Sequence, residues 1–377
     1  MRFLSVVAVL VLLVPFAQPA QAELEEDCKQ GLDRDLQIRA CTAVIQSEQW
    51  QGKDLVWAYY NRGNAYGVLG EQTLAIADYD EALRLDTDYP YAYNNRGIAY
   101  YHLGEYARAI EDYDQALRLD PDYALAYTNR GSAYASLGEH RRAIEDYDQA
   151  LRLDPDSALA YTNRGQAYHD LGEHARAIED YDQALLLDPG LARAYYRRGN
   201  AYRRLGKLRR AIKDYDQALR LEPDNANAYN NRGFTYRRLG EHRRAIEDYD
   251  QALRLDPNVL YARANRGNAY NSLAWGLYLE GRNTEALGDV DRSLADRPDN
   301  AYAVDTRAHI LAALGRTREA LAEFERAMKI GGEDRVRHYQ EALARHGYYR
   351  GAVDGTYEAG TRAALVACLD AGCRVVE

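Results

Sequence analysis

Beyond Val14 the chain has no apolar run approaching the roughly 18 residues that a membrane-spanning helix needs. Cysteine is scarce, four in 377 residues, and there are no close C-x-x-C pairs of the kind that hold structural zinc. A nucleophile elbow, a phosphate loop, an H-E-x-x-H pair and a calcium loop are all missing. No catalytic residue, cofactor or metal site is therefore expected, and the chain reads as a non-enzyme. Excess positive charge is missing too. The 48 Lys/Arg stand against 58 Asp/Glu, a net charge of −10, which argues against nucleic acid as the main partner. The 9 prolines and 28 glycines are regularly placed and act as turn punctuation, so long disordered linkers are excluded.

What the chain does have is a period. Gly63, Gly97, Gly131, Gly165, Gly199, Gly233 and Gly267 are each 34 positions apart. The phrase around them reads A-Y-x-N-R-G-x-A-Y-x-x-L-G, followed by A-I-x-D-Y-D-x-A-L-R-L-D-P. A fixed period of this size marks a solenoid, because each unit is too small to bury a core alone. With the glycine at position 8 of 34, the units are 56–89, 90–123, 124–157, 158–191, 192–225 and 226–259. Large or small packing residues at 4, 8, 11 and 14 form a helical stripe, for example Tyr93, Gly97, Tyr100 and Leu103. Gly104 ends this helix A. Ala109, Ile110, Tyr113, Ala116 and Leu117 mark helix B, which Asp120-Pro121 stops. Each unit is thus predicted to be a helical hairpin.

The period slips once. Gly281, Ala286 and Pro298 arrive seven residues late, about two helical turns, so the apolar face is kept. The slip predicts a long helix A from about Val259 to Leu279, with further units at 267–300 and 301–334. Residues 23–55 read as a half-unit N-terminal cap, since Ile38, Cys41, Val44 and Ile45 match a helix B stripe. Residues 1–22 read as a secretory signal. Arg2 precedes an apolar run over Phe3–Val14, and Ala20-Gln21-Ala22 has the form of a cleavage site. Glu23, not Cys, follows the expected cut, which argues against lipoprotein anchoring. Export, most naturally to a bacterial periplasm, places the cysteines in an oxidising compartment. Their spacing favours two local bridges, Cys28 with Cys41 and Cys368 with Cys373.

The aromatic at 4, Gly at 8, aromatic at 11, Ala at 20, aromatic at 24, Ala at 27 and Pro at 32 resemble the tetratricopeptide repeat family over roughly residues 56–334. The resemblance implies an all-α, right-handed superhelical solenoid of about eight hairpins, and a protein or peptide partner held on the helix A face. It departs at position 7, which is Arg in six units (Arg62, Arg96, Arg130, Arg164, Arg198, Arg232). The expected role is a packed stem whose head pairs with a D-Y-D carboxylate. In the family, positions 2, 5, 9, 12 and 13 line the groove. Here they become cationic and aromatic late in the array: Arg193, Tyr196, Asn200, Arg203 and Arg204, then Asn230, Phe234, Arg237 and Arg238, with Arg197 beside them. Unit 192–225 holds ten Lys/Arg against four Asp/Glu, a net of +6 inside an acidic chain. Such a surface suits an acidic peptide, a terminal carboxylate or an anionic glycan, or is a solvated face paired with neighbouring carboxylates. Asn61, Asn95, Asn129 and Asn163 at position 6 bond either a ligand's backbone or the scaffold.

Residues 335–377 depart from the repeat. Gln340, Leu343, Gly347, Tyr348, Gly351, Asp354, Gly355, Tyr357, Gly360, Thr361 and Ala364 resemble a small three-helix peptidoglycan-binding-like module. The resemblance implies glycan contact through Tyr348, Asp354, Tyr357 and Thr361. The plainer alternative is a closing cap for the solenoid.

Overall fold

The computed structural model describes residues 18–31, 33–47 and 49–375. The predicted signal segment lies largely outside them. The described residues form nineteen α-helices and one short 3-10 turn over 52–55, with no strand. The chain divides into two units, 1–187 and 188–377.

The first unit opens with α1 (Gln18–Gln30) and α2 (Arg34–Gln46). The segment expected to be half a repeat therefore carries a complete helical pair. Leu24 on α1 is exposed and Cys28 is its one buried residue among those described, so the helix leaves no stripe to read. The Cys28–Cys41 disulfide joins the pair, and Gln37 donates to the Cys28 carbonyl (3.0 Å). Asp33 caps α2 by accepting from the Leu36 amide (3.0 Å). Four hairpins follow: α3 (Val56–Val68) with α4 (Gln72–Leu85), α5 (Pro90–His102) with α6 (Tyr106–Leu119), α7 (Ala124–Ser136) with α8 (His140–Leu153), and α9 (Ala158–Asp170) with α10 (His174–Leu187).

The second unit continues with α11 (Ala192–Arg204), α12 (Leu208–Leu221), α13 (Ala226–Arg238), α14 (His242–Leu255), α15 (Ala262–Leu279), α16 (Asn283–Asp296) and α17 (Ala301–Ala313). Helix α15 runs 18 residues where the preceding A helices of this unit run 13, the long helix that the slipped period implies. Helix α18 (Thr317–Arg345) is broken at Gly332 (φ 64°, ψ −159°), a backbone region open to glycine alone. Its first part completes the last hairpin and its second part starts the tail. With α19 (Ala359–Asp370) the tail holds two described helical segments, not three. The region 346–358 between them, which holds Gly347, Gly351 and Asp354-Gly355, is turn and loop.

The core is a repeated interdigitation. Tyr113 on α6 is 1% exposed and lies against Gly97 on α5, where a Cβ would come within 2.7 Å of the ring. A side chain there would hold the two helices apart. The position-24 tyrosines are the fully enclosed rings, whereas those at position 4, such as Tyr93, are half-buried. Each helix A ends on a glycine in left-handed conformation; at Gly104 φ is 79° and the Glu105 amide reaches back to the Tyr100 carbonyl (2.9 Å).

Candidate functional site

The arginine at position 7 is structural. Arg130 donates through Nε and Nη2 to both oxygens of Asp146 in its own repeat (2.8 and 2.6 Å). Its Nη1 reaches Asp114 of the preceding repeat (2.6 Å). Arg96, Arg164 and Arg232 repeat the arrangement with Asp112/Asp80, Asp180/Asp148 and Asp248/Asp216. Arg62 and Arg198 make the intra-repeat fork to Asp78 and Asp214. The guanidinium also lies over the position-4 ring, 5.4 Å from the centroid of Tyr127 for Arg130. At the slip the ladder adapts. Arg266 still reaches back to Asp250 (2.6 Å), but its fork falls on Asp296. Sliding seven residues back along helix A moves the partner seven further along the antiparallel helix B, from Asp289 to Asp296.

The D-Y-D carboxylates that face the ladder are taken by it. On the second unit's helix A face, Asn231 donates to the Tyr196 hydroxyl and to Asn200 Oδ1 (both 3.0 Å). Tyr215 donates to the same oxygen (2.8 Å). This amide–phenol lattice is the floor. Above it Phe234 lies between two guanidinium groups, Arg203 at 5.4 Å and Arg237 at 5.2 Å from the ring centroid. The Nε atoms of Arg203 and Arg237 and the Oδ1 of Asn230 are enclosed without a hydrogen-bond partner. Asn230 Nδ2 donates to the Leu260 carbonyl (3.4 Å). Burial pushes the Tyr215 and Tyr249 hydroxyls well up, and the neighbouring Arg203 and Arg237 pull them partly back. Burial, then Arg237, holds His242 below the usual imidazole range. Arg193, Arg204 and Arg238 are exposed, with no carboxylate partner among the described residues. Arg197 is half-buried on the same helix.

In the first unit the position-6 asparagines bond within the scaffold. Asn95 donates to Tyr60 Oη (3.0 Å) and Asn64 (2.8 Å), Asn129 to Asn94 (2.9 Å), and Asn163 to Ser132 (3.4 Å). Asn61 is half-buried. Tyr60 and Tyr91 stand at groove positions 5 and 2, and with Tyr89 and Tyr123 they form a row in which Tyr91 is exposed and the other three are half-buried. The available signal was position 34, tyrosine in the first two repeats and Ser157, Leu191 and Asn225 later.

The tail shares one core with the last hairpin: Phe324 and Met328 pack with Tyr339, Leu343, Leu365 and Cys368. The Cys368–Cys373 bridge is formed. Gln340, fully buried, accepts from the Gly355 amide (2.9 Å) and donates toward Thr356 O (3.0 Å) and Thr361 Oγ1 (3.2 Å). Of the four residues implied in glycan contact, Thr361 is fully enclosed. Tyr357 donates to Glu325 of the last repeat (2.7 Å). Asp354 is exposed and accepts from the Thr356 amide (2.8 Å), which holds its carboxyl below the usual range. Tyr348 is half-buried beside the shared core. Among the described residues, no three His, Cys, Asp or Glu are grouped as a metal site requires, and no helix is long and apolar enough to cross a membrane.

Family models described as TPR repeat match residues 68–104, 131–172, 165–206 and 199–240. Models described as tetratricopeptide repeat match 90–123, 226–259 and 112–145. Together they run unbroken over 68–259, more than half of the 377 residues. Residues 332–367 match a putative peptidoglycan binding domain. A tetratricopeptide repeat protein from Parabacteroides merdae is 22% identical over 66% of this chain and 98% of its own, with a TM-score of 0.53. The Pseudomonas aeruginosa pilF structure is 20% identical over 58% of this chain and 100% of its own, with a TM-score of 0.52. These two show the fold. MamA is 32% identical over 44% of this chain and 96% of its own, with a TM-score of 0.40. No curated protein matches.

Proposed function

The chain belongs to the tetratricopeptide repeat family, and on that premise we propose that it is a non-enzymatic interaction scaffold whose helix A face over 192–238 holds an acidic segment of a partner protein. One observation carries the reading: Phe234 sits between Arg203 and Arg237 while the nearby D-Y-D carboxylates are committed to the position-7 ladder. Arginine forks suit carboxylates, and the ring suits an apolar side chain between them. A labelled Asp/Glu-rich peptide carrying one Phe tests this by fluorescence anisotropy. Changing Arg203, Arg204, Arg237 and Arg238 together to Ser is expected to abolish binding and to flatten its salt dependence. Unchanged affinity would sink the reading.

A second reading, cell-wall association through the tail, is favoured by the family match over 332–367. Its ligand is peptidoglycan, and the accessible candidate residues are Asp354, Tyr357 and the half-buried Tyr348. Co-sedimentation of the full chain with purified peptidoglycan, lost on Tyr348→Ser, is the expected result. Both readings fit export to a bacterial periplasm with processing between Ala22 and Glu23. Two disulfides suit an oxidising compartment. Processing there would trim the start of α1 and leave Cys28 bridged.

A further inference from the structure

We propose that the helix A face of the first two 34-residue repeats is a second docking surface, of opposite polarity, for an extended arginine- or lysine-rich segment of a partner protein. The surface is a row of tyrosines. Tyr60 and Tyr89 have ring centroids 5.0 Å apart, Tyr89 and Tyr91 5.9 Å, and Tyr91 and Tyr123 5.3 Å. The row is built rather than incidental. Tyr60 is fixed from below by Asn95 and by its contact with Tyr79 at 6.1 Å. Tyr91 nevertheless leaves 47% of its surface in solvent. A rigid row of this kind gives up little conformational freedom on binding.

Charge selects the occupant. Repeat 56–89 holds two Lys/Arg against six Asp/Glu and repeat 90–123 three against six, net charges of −4 and −3, where repeat 192–225 has +6. Asp88 and Asp122, each one residue before a tyrosine of the row, are exposed and have no cationic partner among the described residues. Tyrosine faces beside free carboxylates attract guanidinium and ammonium groups. The same fold uses this pairing internally, where Arg96 lies 5.5 Å from the Tyr93 centroid. A sugar chain is the poorer fit, because successive rings are inclined at 59–78° and form no flat platform.

The probe is a fluorescein-labelled peptide of alternating Arg and Gly, titrated with the full chain at low and physiological salt. Tyr91→Ser, at an exposed site, is expected to weaken binding about 5–10-fold, the loss of one or two cation–π contacts. Asp88→Asn with Asp122→Asn is expected to reduce affinity and the salt slope together. Tyr91→Ser should leave the melting curve and the acidic-peptide affinity of the second unit unchanged, which separates this surface from the groove at 192–238. Equal binding by wild type and both variants overturns the proposal. So does displacement of the peptide by N-acetylglucosamine oligomers.

Discussion

Replacing Arg130 by Met keeps most of the stem and removes the charge that links three helices. Its two partners differ in environment: the Asp146 side chain is 8% exposed and the Asp114 side chain 47%. Without Arg130, Asp146 becomes a buried carboxylate with no counter-charge, a loss of about 3–5 kcal/mol. Removing only the outer link, by Asp114→Asn, is expected to cost about 0–1 kcal/mol, since that oxygen is largely hydrated. Arg130→Met combined with Asp146→Leu should recover most of the loss, because no unpaired charge then remains inside. Urea unfolding followed by circular dichroism measures all three. A repeat array loosens by neighbouring units, so the curves need a nearest-neighbour fit rather than a single two-state transition. If Asp114→Asn costs as much as Arg130→Met, or Arg130→Met costs under about 1 kcal/mol, the ladder is ornamental and the burial argument is wrong.

Gly97→Ala forces a methyl to within 2.7 Å of the Tyr113 ring and should cost about 1–3 kcal/mol by overpacking; Gly104→Ala, where open space surrounds the Cβ but φ is 79°, should cost about 1 kcal/mol by backbone strain. Reducing Cys28–Cys41, which spans 13 residues, should loosen the α1–α2 pair by about 3 kcal/mol. Hydrogen exchange is expected to show the loss confined to residues 18–47, with repeats from 90 onward unaffected.

The repeat was legible because every unit spends its packing residues identically, and period survives where single-residue propensity is ambiguous. The Arg–Asp pairing was legible for the same reason: charges at fixed spacing in each copy imply a scaffold role. Helix α1 was not, because a helix held by one disulfide and a few buried atoms needs no apolar stripe. The resemblance implies three tail helices; the described tail has two, joined by a loop that Gln340 organises with hydrogen bonds. The sequence marks the groove only as a set of positions. That Arg203 and Arg237 bracket one ring depends on how neighbouring A helices align across a repeat boundary, which spacing within a single repeat does not specify.

The ion-pair ladder reaches back by one repeat, and the joint it makes is the same within each stretch of regular copies. Deleting residues 124–157 would bring Arg164 to Asp114 in the geometry it now has with Asp148. A duplicated copy would close equally well on both sides. The array can therefore lengthen or shorten by whole repeats without any compensating change at the seam.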